Sequence, residues 1–221
     1  MSKRPIYFMP GLAASPKIFE KLQLPENKFE LHYLNWIKPL SIEETMANYA
    51  MRMCDEIKHE KPILIGVSFG GILVQEIAKY LDVEKVIIIS SVKSHYEFPT
   101  NFKFAKKLRA YKLFPTKVVS NFEKFAHYFI GKSLKKKAKM YQKYLSERDE
   151  LYLKWSIQNT VQWEQETPKE DIVHIHGTKD HIFPHKNIKD FIKIKNGTHA
   201  MVLIKAKEIS KIIETTLTKV A

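Results

Sequence analysis

The stretch Pro62-Ile63-Leu64-Ile65-Gly66-Val67-Ser68-Phe69-Gly70-Gly71 passes directly from a run of apolar residues into a helical pattern. The first half predicts a buried strand over 62–67, and the spacing after it predicts a helix over 69–80. A serine at so tight a strand-to-helix turn has a strained backbone and an exposed hydroxyl, and glycines beside it avoid collisions with the neighbouring elements. We interpret Ser68 as a candidate nucleophile; the alternative is a glycine-rich turn that carries a surface serine.

Short apolar runs of the same kind recur on both sides of that stretch and alternate with helical patterns, without hairpin signals between them. Strands that alternate with helices in this way indicate a parallel sheet. The sequence therefore predicts an α/β fold with a mostly parallel sheet of about six strands, flanked by helices. The predicted strands are 5–9, 29–36, 62–67, 85–92, 171–176 and 191–195.

Helix start signals place two further helices. Ser15 precedes Pro16, a residue that suits the first helical position because its missing N–H would be unpaired there anyway. Ser41-Ile42-Glu43-Glu44 is a capping box and predicts a helix that runs from this point towards Lys58. The last predicted helix covers 205–219.

The segment 93–168 differs from the rest of the chain because it has no clear strand. Aromatic and aliphatic residues stand at helical spacing among lysines, as in Phe122, Phe125 and Phe129, a pattern typical of amphipathic helices. We therefore predict an α/β core over 1–92 and 169–221, with 93–168 inserted into it as a helical segment.

The composition excludes several protein classes. Of 221 residues 44% are hydrophobic, while only 7 are glycine and 10 are proline, which excludes a disordered or collagen-like chain. Cys54 is the single cysteine, so an internal disulfide and a thiolate metal site are excluded. This cysteine usage predicts a reducing, cytoplasmic location. No apolar run approaches the roughly 20 residues of a membrane-spanning helix.

A nucleophilic serine needs a base, and the base needs an orienting carboxylate. Asp180 follows an apolar run in Gly177-Thr178-Lys179-Asp180, and His199 follows the next run in Gly197-Thr198-His199. Loops that follow parallel strands meet at the carboxyl edge of the sheet, where active sites form. We predict that Ser68, Asp180 and His199 meet there. The alternatives are a loop carboxylate or helix cap at Asp180 and a capping or buried histidine at His199.

Together these three stretches resemble the nucleophile elbow, acid loop and histidine loop of the α/β-hydrolases. They read Gly-Val-Ser-Phe-Gly-Gly at 66–71, Gly-Thr-Lys-Asp-His-Ile-Phe-Pro at 177–184 and Gly-Thr-His at 197–199. The resemblance covers 4–92 and 169–221, and it implies that 93–168 is the cap that this family often inserts. It also implies Ser68 as nucleophile, His199 as its base and Asp180 as the residue that orients the histidine.

The same resemblance implies that the backbone N–H groups of Leu12 and Phe69 hold the oxyanion. The chain departs from the family in two places. Pro10-Gly11 stands where His-Gly is common, which keeps the backbone donor but loses the support that a histidine gives the loop. The segment 35–40, Asn-Trp-Ile-Lys-Pro-Leu, replaces the usual Asp-x-Pro-Gly-x-Gly. Within it, Trp36 either lines the substrate pocket or is an ordinary core aromatic residue.

A metal-dependent alternative rests on His174-Ile175-His176 and Asp180-His181, which resemble the His-x-His-x-Asp-His run of metallo-β-lactamase-like hydrolases. Here two extra residues separate the second histidine from the aspartate, and no further ligand pattern accompanies them. His174 and His176 also lie in a predicted buried strand. We predict neither a metal nor an organic cofactor.

The formal net charge is +13, and the excess is concentrated between Lys93 and Lys154, with 16 basic and five acidic residues. The densest cluster, 132–139, has the charge to contact nucleic-acid phosphates. No glycine-aromatic RNA-binding signature accompanies it, and the helical spacing of the aromatic residues favours packed helices with a solvated lysine face. An acidic partner, such as an acyl carrier protein, or an anionic substrate, such as a coenzyme A ester, remains an alternative.

These features predict a serine hydrolase that cleaves a carboxylic ester, thioester or lactone of a small molecule through an acyl-enzyme on Ser68. The first alternative is a thioesterase, esterase or acyltransferase that acts on acyl carrier protein or coenzyme A and uses the same three residues. The second is a non-catalytic basic binding protein with the same fold.

Overall fold

A six-stranded parallel sheet forms the centre of the fold, with the strand order β2-β1-β3-β4-β5-β6. The structure is a computed structural model and describes residues 3–109 and 143–218. It confirms the predicted fold class of a parallel sheet flanked by helices. The strands are β1 (Arg4–Met9), β2 (Phe29–Tyr33), β3 (Ile63–Val67), β4 (Lys85–Ile89), β5 (Val173–Gly177) and β6 (Ile192–Ile194).

Helices cover both faces of this sheet. The α-helices of the described residues are α1 (Met46–Cys54), α2 (Phe69–Ile77), α3 (Thr100–Lys107), α4 (Glu150–Gln162), α5 (Met201–Ile204) and α6 (Ala206–Thr218). Short 3-10 helices lie at Pro16–Phe19, His95–Glu97 and His185–Asn187. The first of these begins where Ser15 and Pro16 predicted a helix.

The core has two layers because successive side chains of a strand point to opposite faces of the sheet. On β1, Tyr7 and Met9 pack with buried residues of α1, α2 and α4. Ile6 and Phe8 point to the other face and pack with α5 and α6. The sheet is thus buried on both sides, as its continuous apolar runs predicted.

The helix predicted from the capping box is wrong at its start. The helix α1 begins at Met46, and its cap is Thr45, whose Oγ1 accepts the Asn48 N–H at 3.1 Å. Glu44 instead closes the preceding turn, because its carboxylate accepts the Leu40 N–H at 2.7 Å. The same carboxylate forms an ion pair with Arg52 at 2.8 Å. Its oxygens are thus taken up by Leu40 and Arg52 and do not cap the helix.

Two helices of the described chain, α3 and α4, lie between β4 and β5, inside the segment 93–168. Trp155 of α4 is fully buried, and its indole N–H donates to the Glu44 carbonyl at 2.7 Å. The helices predicted around Phe122, Phe125 and Phe129, and the lysine cluster at 132–139, lie outside the described residues. The division of the chain into core and inserted unit stays a prediction.

None of the helices described here combines the length and the apolar character that a membrane crossing requires.

Candidate active site

Ser68 occupies the turn between β3 and α2 with φ 54° and ψ −121°. A non-glycine residue with positive φ is strained, and such strain persists only where neighbouring groups hold it. The Ser68 N–H donates to the Ile89 carbonyl at 2.9 Å, and the Ser91 hydroxyl donates to the Ser68 carbonyl at 2.8 Å. The end of β4 therefore clamps the strained turn.

Glycines beside Ser68 let three backbone segments approach closely. A Cβ atom at Gly70 would collide with the carbonyl oxygens of Met9, the last residue of β1, and of Pro10, which begins the loop after it. A Cβ at Gly66 would collide with the Gly70 carbonyl across the turn. The loop after β1 thus lies directly against the start of α2. The predicted role of Leu12 as an oxyanion donor requires this closeness.

The structure brings together the three predicted side chains of Ser68, Asp180 and His199. Nε2 of His199 lies 2.9 Å from Oγ of Ser68, and Nδ1 of the same ring lies 2.9 Å from Oδ2 of Asp180. An ionised carboxylate only accepts hydrogen bonds, so Nδ1 carries the proton and Nε2 is left to accept from the serine. This is the geometry of a nucleophile, a base and an orienting group.

Asp180 lies directly beyond β5 and is only 3% exposed. Its Oδ1 accepts the backbone N–H groups of Ile182 at 2.9 Å and Phe183 at 3.0 Å. Burial alone would raise the pKa of the Asp180 carboxyl. The nearby His199, through charge and hydrogen bonding, outweighs the burial and holds the pKa below its usual range. The carboxylate is therefore ionised at neutral pH.

The sequence left open a metal-dependent alternative in which His174 and His176 are ligands. In the structure, the two side chains have hydrogen-bond partners of their own. Both are buried in β5, and Nε2 of His176 donates to the Phe183 carbonyl at 2.8 Å. His174 Nε2 lies 3.1 Å from His176 Nδ1. Burial lowers the pKa of both rings, and the adjacent His176 lowers the pKa of His174 further. Both rings are therefore neutral at neutral pH.

The contact of His176 reaches the candidate site. The Phe183 backbone accepts from His176 through its carbonyl oxygen and donates to Asp180 through its N–H. His176 therefore holds the loop that fixes the carboxylate, a link that the sequence analysis missed. The available signal was a pair of histidines in an otherwise apolar strand that leads into this loop.

The predicted oxyanion donors, Leu12 and Phe69, lie on the two segments that meet at Ser68. Phe69 is the first residue of α2, so its N–H has no partner within the helix. Leu12 follows Gly11, where an added Cβ would lie 3.3 Å from the Ser68 Cβ. Both backbone segments therefore lie close to the serine.

Trp36 contacts both of those segments. Its ring stacks on Phe69 with 5.1 Å between centroids and an interplanar angle of 14°. Its indole N–H donates to the Gly11 carbonyl at 3.2 Å. The side chain is half-buried against the core cluster of Tyr49 and Trp155, so it combines packing with a polar contact to the loop.

No family model and no curated protein matches the sequence. Solved structures do match it over almost its whole length. A carboxylesterase of the thaumarchaeon Nitrososphaera gargenis is 15% identical, with a TM-score of 0.70, covering 99% of this chain and 91% of that one. An esterase of Thermogutta terrifontis is 14% identical, with a TM-score of 0.65 and coverages of 99% and 91%. A bromoperoxidase of Bacillus anthracis is 16% identical, with a TM-score of 0.65 and coverages of 98% and 92%. At these identities the likeness establishes the fold.

Proposed function

We propose that this chain, which has the α/β-hydrolase fold, hydrolyses carboxylic esters through an acyl-enzyme on Ser68. The observation that carries the proposal is the unbroken series of contacts from Ser68 through His199 to Asp180, each 2.9 Å long. A strained turn, an imidazole and a buried carboxylate meet here, and this combination is the one that activates a serine hydroxyl.

In the first half of the reaction, the Ser68 Oγ attacks the ester carbonyl carbon while His199 Nε2 removes the hydroxyl proton. Negative charge develops on the former carbonyl oxygen, which the backbone N–H groups of Leu12 and Phe69 stabilise. His199 then gives its proton to the leaving alcohol oxygen as the C–O bond breaks. The product is an acyl-enzyme on Ser68.

In the second half, His199 removes a proton from a water molecule, which attacks the acyl carbonyl. The tetrahedral intermediate collapses, the proton returns to Oγ of Ser68, and the carboxylic acid leaves. Asp180 stays ionised throughout and stabilises the imidazolium that forms in each half. Thioesters and lactones fit the same sequence of steps because their carbonyl carbons react in the same way.

The test is hydrolysis of short p-nitrophenyl esters by the wild type and by Ser68→Ala. We expect the substitution to lower kcat by on the order of 10³-fold or more, since the nucleophile is lost. Ser41→Ala is the matched control, because Ser41 is an exposed loop residue whose hydroxyl accepts the Glu43 N–H, away from Ser68. Equal activity in the wild type and Ser68→Ala would refute the mechanism.

The same assay distinguishes the other candidate functions. A higher kcat/KM for coenzyme A thioesters than for aryl esters would identify a thioesterase. Transfer of the acyl group to an added alcohol in preference to water would identify an acyltransferase. A folded wild type that turns over none of these esters would favour the basic binding protein.

A further inference from the structure

Three side chains at the β2 edge of the sheet form a cluster that the proposed reaction does not use. Glu30 and His32 stand two positions apart on β2, the edge strand, and His59 lies between α1 and β3. Side chains two apart on a strand share a face, which brings the first two together. One donor atom from each of the three residues lies within 4.8 Å of the other two.

The spacing of these atoms is close to that of ligands on one metal ion. Glu30 Oε1 lies 3.1 Å from His32 Nε2 and 3.8 Å from His59 Nε2. Ligand atoms held at about 2.0–2.1 Å from a tetrahedral zinc ion are about 3.3–3.4 Å apart. Small rotations of the side chains therefore suffice to place an ion between them.

The ring of His32 is held in place before any ion binds. It stacks on Tyr7, the residue opposite it on β1, with 4.6 Å between ring centroids and an interplanar angle of 16°. Its Nε2 is shielded from solvent and has no hydrogen-bond partner among the described residues, despite the nearby Glu30 oxygen. A buried nitrogen without a partner is costly, and a metal ion would satisfy it.

His59 is oriented by the same tyrosine. Its Nδ1 lies 2.7 Å from the Tyr7 hydroxyl oxygen, which also accepts the Lys58 N–H at 3.0 Å. When His59 donates its Nδ1 proton to that oxygen, the lone pair of Nε2 faces Glu30. A metal-bound histidine that donates its other ring N–H to an oxygen is the usual arrangement around zinc.

We propose that Glu30, His32 and His59 bind a divalent transition-metal ion of the zinc class, with water completing the coordination. Two imidazoles and one carboxylate favour zinc, cobalt, nickel or copper over magnesium and calcium, which prefer oxygen ligands. The ion joins the edge strand β2 to the segment that leads into β3, so binding stabilises the fold. This inference is independent of the proposed hydrolysis.

The experiment is calorimetric titration of zinc into tag-free protein, with the absorption of bound cobalt as a second readout. We expect one ion per chain and a tetrahedral cobalt spectrum. At about 100-fold excess of zinc over its Kd, Tm should rise by roughly 5–10 °C. Glu30→Gln, His59→Gln and His32→Phe should each weaken binding at least tenfold, and His32→Phe keeps a ring that stacks on Tyr7. Tyr7→Phe should weaken it about tenfold, since it removes the oxygen that orients His59.

Two controls separate this site from other histidines. His185→Gln changes an exposed histidine in the short 3-10 helix after β5 and should leave the affinity unchanged. His199→Gln should leave it unchanged as well, which excludes binding at the candidate active site. Glu30→Gln and His59→Gln alter partly exposed side chains and decide the question if His32→Phe fails to fold. Absence of saturable binding, or affinity that these two substitutions leave intact, overturns the proposal.

Discussion

The indole N–H of Trp36 donates to the Gly11 carbonyl oxygen at 3.2 Å, across 25 residues of sequence. The Ala14 N–H donates to the same oxygen at 3.0 Å. The sequence pattern of the α/β-hydrolases commonly has a histidine that supports this loop, and Pro10 stands at that position here. Trp36 supplies support to the same loop from the segment 35–40, so the two stretches that differ from the α/β-hydrolase sequence pattern are in physical contact.

Replacing Trp36 with phenylalanine removes this hydrogen bond and keeps an aromatic ring against Phe69. We expect kcat to fall about tenfold with little change in KM, because a displaced loop weakens transition-state stabilisation more than substrate binding. Trp163→Phe is the matched control, since its indole N–H donates to the Glu76 carboxylate, away from this loop. Steady-state kinetics on an aryl ester measure both variants. A change in KM alone would instead indicate that Trp36 only lines the pocket.

We predict that His176 positions the Asp180 carboxylate through the Phe183 backbone. His176→Phe leaves the Phe183 carbonyl without its partner and loosens the loop that holds Asp180, so kcat should fall about tenfold. The apparent pKa of the essential base in the pH profile of kcat/KM should also fall, because a less well oriented Asp180 stabilises the imidazolium less. His176→Gln offers a donor at a similar place and should recover part of the loss. An unchanged pH profile in His176→Phe would limit the residue to a structural role.

The buried histidine pair predicts that stability declines in mild acid. Burial and the adjacent His176 hold the pKa of His174 well below the usual 6.5. The unfolded chain therefore binds a proton that the folded chain does not, and the contribution to stability is present above about pH 6.5 and lost as pH falls. Asp180 titrates below this window, since its pKa is lowered from 3.8.

The measurement is Tm by calorimetry from about pH 7.5 down to about pH 5.5, where we expect Tm to fall below about pH 6.5, by at most roughly 3–6 °C per pH unit for each histidine. His174→Phe should reduce this slope because it removes one of the two groups. His185→Gln, in an exposed position, should keep it. A Tm that is constant over this range in the wild type would contradict the predicted neutral pair.

The excess of basic residues between 93 and 154 predicts a salt effect on anionic substrates. Raising the salt from about 50 mM to about 500 mM should increase KM for an acyl coenzyme A several-fold, because screening weakens the attraction. The KM for a neutral aryl ester should stay within about twofold under the same screening. Equal salt responses for the two substrates would show that the basic residues between 93 and 154 do not contribute to substrate recognition.

The elements that the sequence predicted well are governed by short-range rules. An apolar run that ends in Gly66-Val67-Ser68 specifies both the strand β3 and the turn after it, because few other residues tolerate that backbone. Parallel pairing then requires the loops after β3, β5 and β6 to leave the same edge of the sheet. This is why the contacts of His199 with Ser68, 131 positions away, and with Asp180, 19 positions away, could be predicted from the sequence.

The predictions that failed depend on side-chain contacts that the local sequence pattern does not specify. Ser41 to Glu44 matches a capping box locally, yet Glu44 binds the Leu40 N–H and Arg52, and the helix begins two residues later at Met46. The strand predicted over 29–36 ends at Tyr33, where the chain leaves the edge of the sheet. The contacts of Trp36 and His176 with backbone carbonyls are set by packing, and no local pattern specifies them.

The most direct measurement of the central claim is peptide mapping after reaction with a fluorophosphonate, which modifies only an activated serine. The account predicts one adduct per chain, on the peptide that contains Ser68, and no labelling of Ser68→Ala. His199→Ala should label far more slowly than the wild type, because no base removes the hydroxyl proton. An ester-hydrolysing wild type that is left unlabelled, or labelled on another residue, would contradict the account.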